Sequence, residues 1–364
     1  MRSFFRTLLH AIAFTPFATG FATSGVLFAQ EEGHGSRTPL LPDVTQDVDY
    51  RIYDRQGRLT SLGAIVEAAR SADAVLVGEE HDDMVGHAFQ GQLLLSLIHE
   101  IGGPSGGLRQ VVFSMEMFER DVQYVLDEYL AGLISEEHFL NSARPWPEYE
   151  ARYRPLVEIA RAAGVPIVAA NAPRRYVSRV TASGPQALED LSELARSYLP
   201  PLPYPGPSRI YREQWDALMT QAMQAAGDED ALVAGEESSG GDSPMAGGED
   251  GDELAAGPDH GSYAMSPNVI QSQALWDAAM GHAVAEALVR NMGALVLHIA
   301  GSFHIEKGTG VPERIADYRP GTRVVSVVMT GVEDIGAWSE EEHADLGDFV
   351  VLTRSANGEG ADPR

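Results

Sequence analysis

The stretch Asp73–Asp83 reads DAVLVGEEHDD, and its counterpart late in the chain, Ala294–His304, reads ALVLHIAGSFH. Each opens on a run of apolar residues, the pattern of a strand covered on both faces. Each reaches a glycine, with a histidine three positions on, at His81 and His304. Glycine lets the backbone turn sharply and lets other groups approach closely. In open parallel sheets, ligands gather outside the carboxyl ends of the strands. One Gly-x-x-His match arises readily by chance. Two of them, both at strand-to-helix junctions, predict a shared rim on which the two imidazoles meet.

Outward from these anchors, strand and helix patterns alternate. Ser61–Arg70 carries apolar residues at helical spacing, and Met84–Glu100 places Val85, Phe89, Leu93 and Leu97 along one stripe. Gln110–Met115 is a second buried strand, Asp121–Ala131 a helix, and Ser135 a helix start. Pro155–Ala163 is a helix leading through Gly164 to the strand Val165–Ala170. Further on, Gln273–Leu288 is an amphipathic helix, Val311–Asp317 a helix with Pro312 at its start, and Val324–Met329 and Phe349–Leu352 are strands. Strands separated by helices predict an α/β fold, a mostly parallel central sheet covered by helices. A helical subdomain occupies about 119–160 and 175–290, within a domain spanning 49–355.

The five prolines of Pro200–Pro207 end any preceding helix, and Tyr211–Ala226 resumes one. Residues 227–260 hold eleven Asp or Glu and no Lys or Arg, a composition that predicts a disordered acidic insertion. Residues 30–48 read as a flexible lead-in and 356–364 as a flexible tail. At the N-terminus, Arg2 and Arg6 precede an apolar stretch interrupted by Pro16, and no acidic residue appears before Glu31. That is the pattern of a signal peptide over residues 1–29, cleaved after Ser24 or Ala29, and it predicts a periplasmic or secreted protein. No later segment offers the run of about 18 apolar residues needed to span a bilayer.

Composition narrows the chemistry. The 364 residues include no cysteine, which excludes disulfides, thiolate metal sites, c-type haem attachment and an N-terminal lipid anchor. A formal net charge of -27 repels phosphate backbones and argues against nucleic-acid partners.

The candidate site residues follow from the two junctions. His81 stands beside Glu79 and Glu80, candidate general bases, while Asp82 and Asp83 suit a helix N-terminus. Glu116 follows the strand Gln110–Met115 and points at the same rim, with Arg120 four residues on to pair with it or to hold a ligand carboxylate. His298 lies inside a strand and reads as a core residue; His87, His99, His138 and His282 read as surface or packing residues. Trp146, Tyr149 and Tyr153, among Arg144, Arg152 and Arg154, suit either helix-on-sheet packing or a seat for a planar ligand.

Taken in order, Val75–His81 (VLVGEEH), Val112–Gln123 (VFSMEMFERDVQ), the segment Tyr124–Ile167 and Gln273–Met280 (QALWDAAM), leading to Gly301-Ser302-Phe303-His304, make the chain resemble the ChaN-like haem-binding family of the Tiki and TraB superfamily. The resemblance spans roughly residues 60 to 330. It implies an α/β fold with a helical subdomain, haem as cofactor, a role in iron acquisition, and a homodimer formed around haem. It carries haem contacts onto His81, His304, Arg120 and a tyrosine, Tyr149 or Tyr153. From the wider superfamily it carries a metal-dependent hydrolytic site onto His81, Glu116 and His304. The chain departs from lipoprotein members in lacking the lipobox cysteine. Two functions are therefore expected to compete, a haem-binding protein and a hydrolase that uses a divalent metal ion, beside a member retaining the fold with neither activity.

Overall fold

Strands that are apolar on both faces must be covered twice, and the chain meets that demand with one sheet between two helical layers. The structure, a computed structural model, describes residues 41–102, 109–220 and 266–354. The signal peptide, the lead-in up to residue 40, the acidic insertion 227–260 and the tail 356–364 lie outside the described residues.

Eight strands among the described residues form the sheet: β1 (Tyr50–Asp54), β2 (Leu59–Thr60), β3 (Ala74–Glu79), β4 (Val111–Glu119), β5 (Ile167–Asn171), β6 (Leu295–Gly301), β7 (Val324–Val332) and β8 (Phe349–Arg354). Their order is β2-β1-β8-β7-β3-β6-β4-β5. The pairs from β8 through β5 are parallel, and only β1 with β2 and with β8 runs antiparallel. The fold is thus the expected α/β arrangement with a mostly parallel sheet. The early edge hairpin Tyr50–Thr60 carries no strong apolar run and was not foreseen.

Odd-numbered residues of β3 and β6, such as Val75, Val77, Leu295, Leu297 and Ile299, face a core shared with α1 (Leu62–Ser71), α2 (Met84–Leu97), α3 (Gln123–Leu130), α4 (Glu136–Ala143), α5 (Tyr149–Arg152) and α6 (Arg154–Ala163). Even-numbered residues, Leu76, Val296 and Ala300 among them, face a second core closed by a long helix, Val269–Arg290, and by the helix Val311–Tyr318. These two helices pack closely because Gly281 carries no side chain: a Cβ there would run into Arg314 and lie 3.0 Å from Ile315 N. Helix α7 (Arg174–Ser183) packs on the same long helix through Val177 and Val180.

One boundary differs from expectation in a way that builds the site. The sequence places a turn at Gly78, but β3 continues through Glu79, pairing Gly78 with Ala300 and Glu79 with Gly301. Ladders on both sides hold the strand extended past its apolar run. Gly78 serves close approach instead of a turn, since a Cβ there would come within 2.9 Å of Ser302 Cα.

Candidate functional site

Strand β6 lies between β3 and β4, so the carboxyl ends of these three strands converge, and the residues after them share one rim. His81 follows β3, His304 follows β6, and Glu116 sits in β4. The two imidazoles meet beside Gly301: a Cβ there would lie 3.1 Å from His81 Nε2 and 3.7 Å from His304 Cδ2. The absent side chain is what leaves room for them.

On the α2 face of the sheet, Glu79 is wholly buried. Its Oε1 accepts hydrogen bonds from His81 Nδ1 (2.9 Å) and the Tyr153 hydroxyl (2.8 Å). Its Oε2 accepts from Gln90 Nε2 at 2.5 Å, with His87 Nδ1 3.5 Å away. Burial penalises the charged carboxylate, but these donors and the neighbouring histidines outweigh it and hold Glu79 below the usual carboxylate range. His87 donates through Nε2 to the His81 carbonyl at 3.0 Å, fixing the turn. Burial also opposes the charged form of His81, yet the bond to Glu79 and the charges of Glu116 and Glu79 raise its pKa. With Nδ1 bound to Glu79, His81 keeps Nε2 free of hydrogen bonds among the described residues, and its side chain is 39% exposed. Trp146 stands edge-on to its ring, with centroids 5.1 Å apart.

On the opposite face, Glu116 occupies the point where β4 parts from β6, beyond the last paired residues Met115 and Ile299. The N–H groups of β6 alternate, Leu295 donating to Gln110 of the β4 side and Val296 to Asp73 of the β3 side. By that parity the Gly301 N–H faces β4, and it finds Glu116 Oε2 at 2.8 Å. The side chain thus replaces a ladder carbonyl. His304 is buried, with Nδ1 2.6 Å from Asp277 Oδ1 and Nε2 3.7 Å from Glu116 Oε1. Burial disfavours its charged form, but the charges of Asp277 and Glu116 prevail and push its pKa up to about 9. Below this pair, His298 holds Ser114 through Nδ1 at 2.9 Å; burial and the neighbouring His304 push its pKa down to about 3, so it stays neutral.

The remaining predicted residues go elsewhere. Glu80 turns to β7, where its Oε1 accepts from Thr330 Oγ1 and the Gly331 N–H, both at 3.0 Å. Arg120 pairs with Glu286 of the long helix and leaves Glu116 to Gly301. Arg144 pairs with Glu119 and Asp121, and Arg154 with Glu136. Asp83 caps α2, accepting from the Val85 N–H at 2.9 Å. Tyr149 and Tyr153 are buried in the α3–α6 layer; burial raises both pKa values, and the Tyr149 hydroxyl has no partner among the described residues. His81, Glu116 and His304 share the rim, yet among the described residues no group of three or more His, Asp or Glu is arranged as a metal-binding cluster.

Residues that the sequence reading did not assign to the site complete the centre. Gln90 and His87 lie on α2, and Asp277 on the long helix. Gln90 and His87 stand on the helix that directly follows the first Gly-x-x-His turn, where a polar pair on an otherwise apolar face was the available signal. Asp277 is buried in the apolar stretch Ala274–Met280, an equally telling position.

A family described as haem-binding uptake, Tiki superfamily, ChaN, matches residues 65–315. The chain belongs to this ChaN family. The span includes every residue of both half-sites, from Glu79 to His304. Among solved structures, the chain resembles one titled for cofacial haem binding to ChaN of Campylobacter jejuni, with a TM-score of 0.55 and 17% identity over 86% of this chain and 100% of that one. This likeness bears on the fold. A Bacillus cereus protein (TM-score 0.37, 12% identity, 75% of this chain and 70% of that one) and an erythromycin esterase mutant in its open conformation (TM-score 0.38, 14% identity, 84% and 83%) are more distant. No curated protein matches the chain.

Proposed function

We propose that this chain is an exported haem-binding protein of the ChaN kind, acting in haem or iron uptake, in which His81 supplies the axial ligand to iron. Membership of the family supports haem as the ligand. The observation that carries the assignment of the residue is the state of His81: a part-exposed imidazole, fixed from behind through Nδ1, with Nε2 unengaged. A neutral imidazole nitrogen is an established axial donor to haem iron. The tyrosines fit less well, because both hydroxyls are enclosed and Tyr153 already serves Glu79. Trp146 beside His81 offers an apolar ring against which a macrocycle can rest. His81 would hold the iron of a bound haem through Nε2, with the buried Glu79 carboxylate orienting the imidazole from behind through Nδ1; the haem would supply a Lewis-acidic ferric iron. Export rests on the N-terminal pattern, and no helix among the described residues is long and apolar enough to cross a membrane. The cofacial arrangement named for the Campylobacter jejuni protein supports a second copy as the partner that covers the haem.

Titration of the mature chain with hemin tests this reading. A saturable Soret band that His81→Ala abolishes and Tyr149→Phe leaves intact is the expected result. A band unchanged by His81→Ala rejects the assignment.

A second reading is favoured by one specific observation, the buried His304 held between Asp277 and Glu116 on the same rim. A histidine oriented by one carboxylate and facing another is equipped for proton transfer in a hydrolytic reaction. A divalent metal ion held by His81, Glu116 and His304 would take the lone pair of His304 Nε2, which lies 3.7 Å from Glu116 Oε1. Turnover of an ester by the haem-free chain, lost in His304→Ala and metal-dependent, would support this reading over the first.

A further inference from the structure

A recess of about 260 Å³ lies against the long helix Val269–Arg290 and shares no residue with the half-sites around Gly301. We propose that it binds a small organic acid, a monocarboxylate whose compact apolar body also carries a hydroxyl group.

Helical spacing builds the recess. His282, Glu286, Val289 and Arg290 fall on one stripe of the long helix, while Ala283, Val284, Ala287 and Leu288 on the neighbouring stripe pack into the core. Pro201 and Tyr318, the last residue of the helix Val311–Tyr318, complete the lining. A cavity of about 150 Å³ accommodates benzene, so a single substituted ring fits this one. Val289 is 65% exposed and offers that ring an apolar surface to cover. Two polar atoms of the lining, His282 Nδ1 and the Tyr318 hydroxyl, are enclosed and have no hydrogen-bond partner among the described residues. Folded proteins leave few such atoms, because each forfeits its bonds to water. Glu286 Oε2 stands 3.8 Å from Nδ1, too far to satisfy it. The two rings meet edge to face with centroids 5.0 Å apart, which places both atoms in one wall.

Both groups are uncharged. Burial, with Arg120 and Arg290 and against Glu286, holds His282 below the usual histidine value. Burial pushes the Tyr318 hydroxyl up to about 12, so it keeps its proton. An imidazole nitrogen and a phenol together suit a ligand hydroxyl, which donates and accepts at once. The charged lining decides the sign of the rest of the ligand. Glu286 is engaged at both oxygens, by Arg120 at Oε2 and by Arg290 at Oε1, and has little left for a cation. Arg290 spends one N–H group on that bond, at 3.3 Å; its other donors have no partner among the described residues, and its side chain is 72% exposed. A guanidinium with free donors at the mouth of an apolar recess matches a carboxylate. Asp317, beside Tyr318, is paired with Arg314.

The experiment is isothermal titration calorimetry of the mature chain with the three isomers of hydroxybenzoate, and with benzoate, phenol and benzylamine as partial probes. Wild type is compared with Arg290→Gln, Val289→Glu and Tyr318→Phe, and far-ultraviolet circular dichroism verifies folding. The expected result is saturable binding of at least one hydroxybenzoate, a few-fold tighter than benzoate and about tenfold tighter than phenol. Arg290→Gln removes the advantage over phenol, and Val289→Glu, an exposed change that sets a second carboxylate beside the first, weakens the acid by about tenfold or more. Tyr318→Phe deletes a hydroxyl that the free chain leaves unpaired, so thermal stability holds or rises while the advantage over benzoate disappears. A tyrosine with a purely structural role shows the reverse, lower stability and unchanged affinity, and that result overturns the inference. No saturable binding of any hydroxybenzoate up to about 10 mM overturns it as well. So do benzylamine binding more tightly than the acids, or an acid affinity unaltered in both Arg290→Gln and Val289→Glu.

Discussion

Replacing Asp277 by Asn tests the buried half-site through the pH dependence of stability. His304 is enclosed, and its pKa stands at about 9 in the folded chain because Asp277 and Glu116 outweigh the cost of burial. In the unfolded chain it returns to about 6.5. A rise of that size corresponds to about 3 kcal/mol, at about 1.36 kcal/mol for each pH unit. The folded state holds the proton more tightly, so the contribution is fully present below about pH 6.5. It declines as pH rises and is gone above about 9. Asp277→Asn keeps an oxygen for the Nδ1 hydrogen at 277 but removes the larger of the two stabilising charges. The pKa of His304 then drops, and the difference in unfolding free energy between pH 6 and pH 9.5 shrinks by about 1–2 kcal/mol relative to wild type. Urea unfolding at a series of pH values gives the difference, and the wild-type chain cancels titrations common to both proteins. NMR of the His304 ring gives the pKa directly. A wild-type His304 titrating at or below 6.5, or identical pH profiles for the two proteins, refutes the reasoning.

Gly281→Ala places a methyl group against Arg314 and the backbone at Ile315 and is expected to cost about 1–3 kcal/mol by forcing the two helices apart, measurable as a lower denaturation midpoint. Gly301→Ala places a Cβ 3.1 Å from His81 Nε2, so hemin affinity falls at least several-fold while circular dichroism and thermal stability stay near wild type. Protons compete with iron for His81 Nε2, and the raised pKa of His81 means that hemin affinity weakens on acidification from a pH above the ordinary histidine value; absorbance titrations from pH 8 to pH 5 follow it.

The sheet was legible because β3, β4 and β6 are apolar without alternation, which only a doubly covered strand tolerates. The rim was legible because glycine and histidine recur together at two such strand ends, and the described geometry brings His81 and His304 to the same glycine. What escaped is instructive in physical terms. Glu79 read as a residue beyond the strand end, yet pairing with β6 carries the strand one residue past Gly78 and places the carboxylate inside. Asp277 passed unremarked within an amphipathic helix and His87 read as a surface or packing residue, because helical periodicity is a statement about averages and a single buried polar residue barely alters it. Their partners lie 27 and 8 positions away in sequence, so only the folded chain shows what satisfies them. Tyr149 and Tyr153 read as packing or as a ligand seat; both are buried in the core on the α2 face, and Tyr153 also donates to Glu79.

The sheet also acts as a partition. Glu79 and its donors hang on one side, Asp277, His304 and Glu116 on the other, and only the margin near Gly301 joins them. Each wall is anchored to its own layer of helices. The two groups of side chains can therefore be altered one at a time: a substitution on one face leaves the hydrogen bonds and the helices of the other in place.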